Sequence, residues 1–419
     1  MSLFDRRLLG REILPGYGYY LAVLAWMLLV LPWQVRTLGP DQWPIVAFCL
    51  SLHALLFGLD LALSPLLLQA AGARTEPGFI GFLYLHAHAR CRNAALLLAM
   101  AMLLLLAIGR HFGLTAPLTP SALLLMLALY LLQIQNAVAL AIWNGRGQQA
   151  LASGRSAAFL LVRHAFASLF IAAGAASAEV FLFGLVLGAG LEWQTNRRIL
   201  LRQYPPDSGH AAGTGQSLTL LPWALASAAL ALLSTQFDRL WLGVQIDSAD
   251  FGTYVLIGTP LAAYLSLQMP IQRSLLPRLS RPESAPAAMR AVWQAHALLA
   301  VPCLLAAPVS DWLLHLWLGP LSPALALAPV LSALLFALAA AILTAPAFLW
   351  LMHQRRWPQL LLAQCLTLVL QAWWLSQGRD AAPFEGAIRA AFMPGLVGLS
   401  VILLHPALLT TLLRGDKRR

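Results

Sequence analysis

The chain is a succession of apolar stretches, each near twenty residues, separated by short polar segments that gather arginine, proline and glycine. A helix of about 20 apolar residues matches the hydrocarbon thickness of a bilayer. The stretches fall at about 17–35, 44–68, 94–109, 119–143, 157–175 and 178–196, then at about 219–243, 251–274, 291–313, 323–351, 358–376 and 386–412. With 60% hydrophobic and only 10% charged residues among 419, little remains for a water-facing domain. The predicted fold class is therefore an all-α polytopic membrane protein with about 12 transmembrane helices. Arg6, Arg7 and Arg11 precede the first stretch without a clean small-residue cleavage site after it, which reads as an uncleaved first span.

Charge sets the orientation. If both termini are cytoplasmic, the segments on that side hold 21 of the 27 Lys and Arg residues and the external segments hold 5, with Arg163 left inside the fifth span. Arginine retained in alternate short loops is the positive-inside pattern. A weak repeat accompanies it, at an offset of 208 residues. That offset maps Asn144-Gly145-Arg146-Gly147 onto Met352-His353-Gln354-Arg355 and Asp60 onto Gln268. Two lobes of six helices with equal orientation follow, at 1–202 and 218–419, joined by a polar cytoplasmic linker at 203–217.

Composition excludes several chemistries. Lys417 in the C-terminal tail is the only lysine, so no lysine stands where a nucleotide-binding glycine loop or a Schiff base needs one. Cys49, Cys91, Cys303 and Cys365 form no CxxC and read as small buried side chains, with no disulfide framework or zinc site. His86-x-His88-x-x-Cys91 has metal-ligand residue types but no fourth ligand nearby, and an amphipathic lead-in to the third span explains it better. No cofactor and no metal are expected, and no aromatic-basic surface supports nucleic-acid binding.

Ionisable groups inside spans are costly to insert and usually face a partner or a wet cavity. Asp60 in the second span reads either as a structural carboxylate or as a proton or cation site. Arg163-His164 interrupts the fifth span; the arginine reads as a phosphate-matched donor or as half of a buried ion pair, for instance with Asp60. Asp238-Arg239 ends the seventh span, with side chains diverging by about 100°. His53, His296, His315 and His405 read as packed or interfacial, and Trp33, Trp43, Trp143, Trp193 and Trp357 as belt residues.

Three passages resemble a known family: Phe237-Asp238-Arg239-Leu240-Trp241-Leu242-Gly243, then Asp250-Phe251-Gly252-Thr253-Tyr254, then Leu276-Pro277-Arg278-Leu279-Ser280-Arg281. They are similar to the seventh-to-eighth helix signature of Wzx-type polysaccharide flippases, in the multidrug/oligosaccharidyl-lipid/polysaccharide (MOP) exporter superfamily. Leu31-Pro32, Arg36, Leu38-Gly39-Pro40 and Leu59-Asp60-Leu61-Ala62-Leu63-Ser64 resemble the first two helices of that family. Trp43-Pro44 departs from the usual aromatic-glycine pair, which Phe251-Gly252 keeps.

The resemblance implies two six-helix lobes around a V-shaped cavity that opens alternately to either side of a bacterial cytoplasmic membrane. The implied cargo is an undecaprenyl-diphosphate-linked oligosaccharide, with membrane lipids and a polysaccharide polymerase as partners. Its charged head needs a polar, cationic passage while the tail stays in oil. Arg163, Arg239, Arg273 and Arg36 are the candidate substrate contacts; Asp60, Asp238 and His164 are the candidate ion-coupling groups. An inside-negative potential favours outward movement of anionic charge by about 2.3 kcal/mol per charge per 100 mV. Two other readings stay open: a multidrug or small-molecule antiporter of the same superfamily, and a membrane polymerase or ligase. The external loops, about ten residues at most, count against an enzyme.

Overall fold

The computed structural model describes residues 14–56, 76–111, 117–174, 176–206, 221–271, 285–320, 322–354, 356–377 and 383–405, with single positions between 60 and 72. Arg273, the passage Leu276–Arg281, most of the 203–217 linker and both chain ends lie outside these residues. Every regular element described is helical. They are α1 (Leu14–Leu29), α2 (Leu31–Leu56), α3 (Pro77–His111), α4 (Pro120–Gly145), α5 (Gln149–Ala172), α6 (Ala178–Gln203) and α7 (Leu221–Gln245). There follow α8 (Ser248–Leu265), α9 (Ala285–Ala306), α10 (Ser310–Leu318), α11 (Ala328–His353), α12 (Trp357–Gln377) and α13 (Pro383–Leu404). The chain from Pro286 to Leu318, which takes in α10, counts as one candidate span. Eight are long and apolar enough to cross a bilayer by length and composition, and α1 with α2 forms a bent pair that also passes.

Each helix sits where the sequence places a span, with instructive shifts at the ends. The first apolar run divides: α1 stops at Leu29 and α2 starts at Leu31. Within α2 the chain breaks at Gly39, whose φ of 77° is readily available only to glycine, and Pro40 follows. The third helix begins at Pro77 rather than near 94, because the polar-looking lead-in is continuous helix with one buried face. Phe79, Ile80, Leu83, Tyr84, Ala87 and Cys91 of that face join Val138, Ile142 and Trp143 of α4 and Leu200 of α6 in one core. Beyond it α3 turns apolar residues outward: Leu97, Met100 and Leu104 are 72%, 66% and 62% exposed, as a lipid-facing stripe requires.

By contact the chain forms two compact units, one of residues 33–252 and one of residues 1–32 with 253–419. In the second, Tyr17 of α1 packs on Ile271, Val292 and Ala295, and the Trp317 indole N–H donates to the Leu28 carbonyl at 2.7 Å. Ala347, Trp350, Leu351, Leu360, Val397 and Val401 close the α11–α12–α13 core.

The 208-residue repeat is visible in backbone detail. α4 and α11 lie 208 residues apart at both ends. The same holds for the turns that follow them. Arg146 N–H donates to the Ile142 carbonyl and Gln148 N–H to that of Trp143; Gln354 donates to Trp350 and Arg356 to Leu351 in the same pattern.

Two of the tryptophans assigned to the interfacial belt are core residues instead. Trp143 is fully buried and its indole N–H donates to Gln203 Oε1 at 2.9 Å. Trp43 is buried and donates to the Gly252 carbonyl at 2.8 Å, which brings the two helix-entry motifs Trp43-Pro44 and Phe251-Gly252 into contact. A Cβ on Gly252 would stand 3.0 Å from the Trp43 ring, so glycine is what admits the tryptophan. Trp33, at 42% exposure, keeps the belt reading. Trp43→Phe retains most of the packing but strands a buried carbonyl, a loss of about 1–3 kcal/mol. Thermal unfolding in detergent is expected to show a lowered midpoint with an unchanged circular dichroism spectrum.

Candidate functional site

Helices α5 and α6 are antiparallel and approach closely because α6 presents Gly184 and Gly188 one turn apart. A Cβ on Gly184 would meet the Ala167 backbone at 2.6 Å, and one on Gly188 would meet Arg163 Cα at 2.5 Å. Continuing four residues at a time, the same face of α6 carries Glu192 and Asn196, both buried. A small-residue contact thus runs directly into a polar one.

Arg163 of α5 pairs with Glu192, Nη1 to Oε2 at 3.7 Å, with the two side chains only 10% and 3% exposed. Two turns along α5, Arg155 donates through Nε to Asn196 Oδ1 at 2.7 Å and through Nη2 to Thr195 Oγ1 at 3.0 Å. The guanidinium of Arg155 lies 5.7 Å from the Trp143 ring and 5.4 Å from that of Phe159. Asn196 donates to Asn136 Oδ1 of α4, and Asn136 in turn donates to the Ala189 carbonyl. The buried Arg163–Glu192 pair and the bonded chain from half-buried Arg155 through Asn196 to Asn136 therefore lie side by side across α4, α5 and α6. Farther along α5, Ser168 accepts a bond from Gln34 of α2 at 3.0 Å.

The expected site residues take several places. Arg163 has Glu192 as its ionic partner and not Asp60, whose carboxylate accepts the Ser64 hydroxyl. His164 is half-buried beside Arg163. Arg36 is exposed on α2, and Asp238 and Arg239 are half-buried on α7. Arg273 lies outside the described residues.

Two of the span histidines are packed against neighbours. His296 is buried with Nδ1 2.8 Å from the Val292 carbonyl, and His405 lies on Trp350 beside Arg356. His86 stacks on Phe82 and His88 accepts from Trp193, so the three members of the His86–Cys91 motif serve different neighbours. Among the described residues no cluster of three His, Cys, Asp or Glu side chains could hold a metal. Cys49, Cys91 and Cys303 are buried, whereas Cys365 is exposed.

Glu192, Asn196 and Asn136 are not among the candidates read from the sequence. The signal that finds them is the four-residue ladder Gly184, Gly188, Glu192, Asn196. The second half supplies a contrast. At the 208-residue offset, Asn136 corresponds to Thr344 and Arg163 to Gln371, both buried and neutral. None of the residues that α13 buries is charged. The three-helix arrangement is thus built once with ions and once without them.

No family model and no curated protein sequence matches the chain. Solved structures do match it over nearly its whole length. A point mutant of the Vibrio cholerae MATE transporter VcmN superposes with a TM-score of 0.71 at 16% identity, covering 98% of this chain and 98% of that one. The eukaryotic MATE transporter AtDTX14 gives 0.70 at 12% identity, covering 97% and 98%. A MOP superfamily transporter from Pyrococcus furiosus, described as having a binding pocket of reverse polarity, gives 0.66 at 13% identity, covering 98% and 97%. The chain has a MATE-like fold with about twelve helices.

Proposed function

We propose that this chain is an alternating-access transporter that moves an anionic, lipid-linked oligosaccharide across a bacterial cytoplasmic membrane, both termini on the cytoplasmic side. The observation that carries the reading is the buried Arg163–Glu192 pair, with Arg155 bonded to Asn196 beside it, built into one half of a repeated fold and replaced by neutral residues in the other. Packing does not require it, since α11–α13 pack without it. A buried ion pair of this kind costs desolvation energy and is weak evidence for stability, so a switching role explains its presence better.

In this reading Arg36, Arg239 and Arg273 meet the diphosphate during passage, and the pair of Arg163 with Glu192 changes partners between the two access states. Asp60, Asp238 and His164 join Glu192 as the groups able to carry a coupling proton or cation. The net charge of +11, from 27 Lys and Arg against 16 Asp and Glu, matches an anionic head better than a cationic drug.

A second reading, antiport of small organic cations, is supported by the likeness to an outward-facing multidrug resistance MATE transporter, at a TM-score of 0.65 and 14% identity. Reconstituted vesicles separate the two. Protein-containing vesicles are expected to carry fluorescent lipid-linked oligosaccharide between leaflets faster than protein-free ones, and to leave a cationic dye gradient unchanged. Dye movement without oligosaccharide transfer would establish the second reading and refute the first.

A further inference from the structure

The outer face of α6 carries two adjoining recesses that the transport reading does not use. The first, about 420 Å³, is apolar and lined by Val186, Leu187, Gly190 and Leu191, with Leu132 of α4 and Phe166 of α5 as its walls. The second, about 300 Å³, is lined by Trp193, Gln194, Arg197, Arg198 and Leu201. Residues 187, 190, 194, 197 and 201 recur every three or four positions, so both recesses lie on one stripe of the helix.

The stripe changes character within a single turn. Leu187 and Leu191 are exposed and apolar; Gln194, Arg197 and Arg198 are exposed and polar. A transition of this kind suits a boundary between hydrocarbon and head groups. The cationic recess is preformed. The Trp193 indole N–H donates to His88 Nε2 at 3.1 Å and the two rings stack, which fixes the tryptophan as a wall, and Arg197 lies 5.8 Å from its ring centroid. No acidic side chain pairs with Arg197 or Arg198 among the described residues.

We infer that this stripe is a binding site for one anionic phospholipid of the surrounding bilayer, its phosphate between Arg197 and Arg198 and an acyl chain along the Gly190 groove. A lone basic patch would attract any anion. The apolar groove, on the same stripe of the helix, selects an anion that carries a hydrocarbon chain. Gly190 forms the floor: the nearest atom to a Cβ placed there is Leu132 Cδ1 at 3.9 Å, so the space above it is open.

The test is native mass spectrometry of the full chain in detergent, supplied with phosphatidylglycerol or phosphatidylcholine. Phosphatidylglycerol is expected to be retained and phosphatidylcholine not. Arg197→Gln and Arg198→Gln are each expected to weaken retention about five-fold, the effect of one cation near an anionic lipid surface. Gly190→Leu is expected to abolish retention without changing helicity or the unfolding midpoint, while Arg90→Gln, exposed on α3, leaves retention intact. Equal retention of both lipids, or unaltered retention in all the α6 variants, overturns the proposal. Inorganic phosphate displacing the lipid would overturn it in favour of a free-phosphate site. A short-chain isoprenyl diphosphate displacing it more readily than added phosphatidylglycerol would assign the groove to a transport cargo. None of these outcomes depends on transport activity.

Discussion

Arg163→Ala is expected to destabilise the protein by about 3 kcal/mol, because it leaves Glu192 buried without its ionic partner. That figure sits at the low end for breaking a buried pair, since Arg155 remains near the same carboxylate. Arg163→Gln combined with Glu192→Gln removes both charges and leaves amides at both positions that can hydrogen-bond to each other. The double variant is expected to recover an unfolding midpoint close to the unsubstituted protein, as Gln371 serves at the corresponding place in α12. Thiol-reactive dye unfolding suits this measurement: Cys49, Cys91 and Cys303 are buried and react on unfolding, once exposed Cys365 has been replaced by serine. A double variant as unstable as the single one would mean that the ions hold the three helices together.

Gly188→Ala is the second large effect. Its Cβ would stand 2.5 Å from Arg163 Cα and 3.0 Å from Arg163 N, backbone atoms that cannot swing aside. Relief requires α5 and α6 to separate, at a cost of about 3 kcal/mol. It would also lengthen the 3.7 Å ion pair one turn away. The expected result is a lowered midpoint together with impaired transport. Gly154→Ala, on the same hairpin with nothing within 4 Å of its Cβ, is expected to change neither.

The span order was legible in the sequence because hydropathy averaged over twenty residues measures what the bilayer selects. The 208-residue repeat was legible for a related reason: turn residues such as Asn144-Gly145 end a helix whatever packs around it, and α4 and α11 duly end in the same bonding pattern. What the sequence concealed was one-sided burial. The lead-in to α3 averages as polar because His86, Arg90 and Arg92 lie among Phe79, Leu83 and Tyr84, although only the apolar face packs. Trp43 and Trp143 stand near span ends, which suggests a belt, yet each points inward to a specific acceptor.

The polar site follows the same logic. Arg163 was conspicuous as a lone cation in an apolar run, but its partner was not. Glu192 lies 29 residues away, in a segment polar enough to pass for a helix end. Only the close glycine contact between α5 and α6 places the two side chains together. A pair of this kind is fixed by helix register, which neither composition nor local spacing reports.

Transfer of fluorescent lipid-linked oligosaccharide in vesicles, compared between the unsubstituted protein and Arg163→Gln with Glu192→Gln at equal reconstituted amounts, bears most directly on whether the buried charges serve transport. The expected result is rapid transfer by the unsubstituted chain and loss of at least most of it in a double variant that unfolds at nearly the same temperature. Equal transfer by both proteins would show that the charges have no part in moving the cargo.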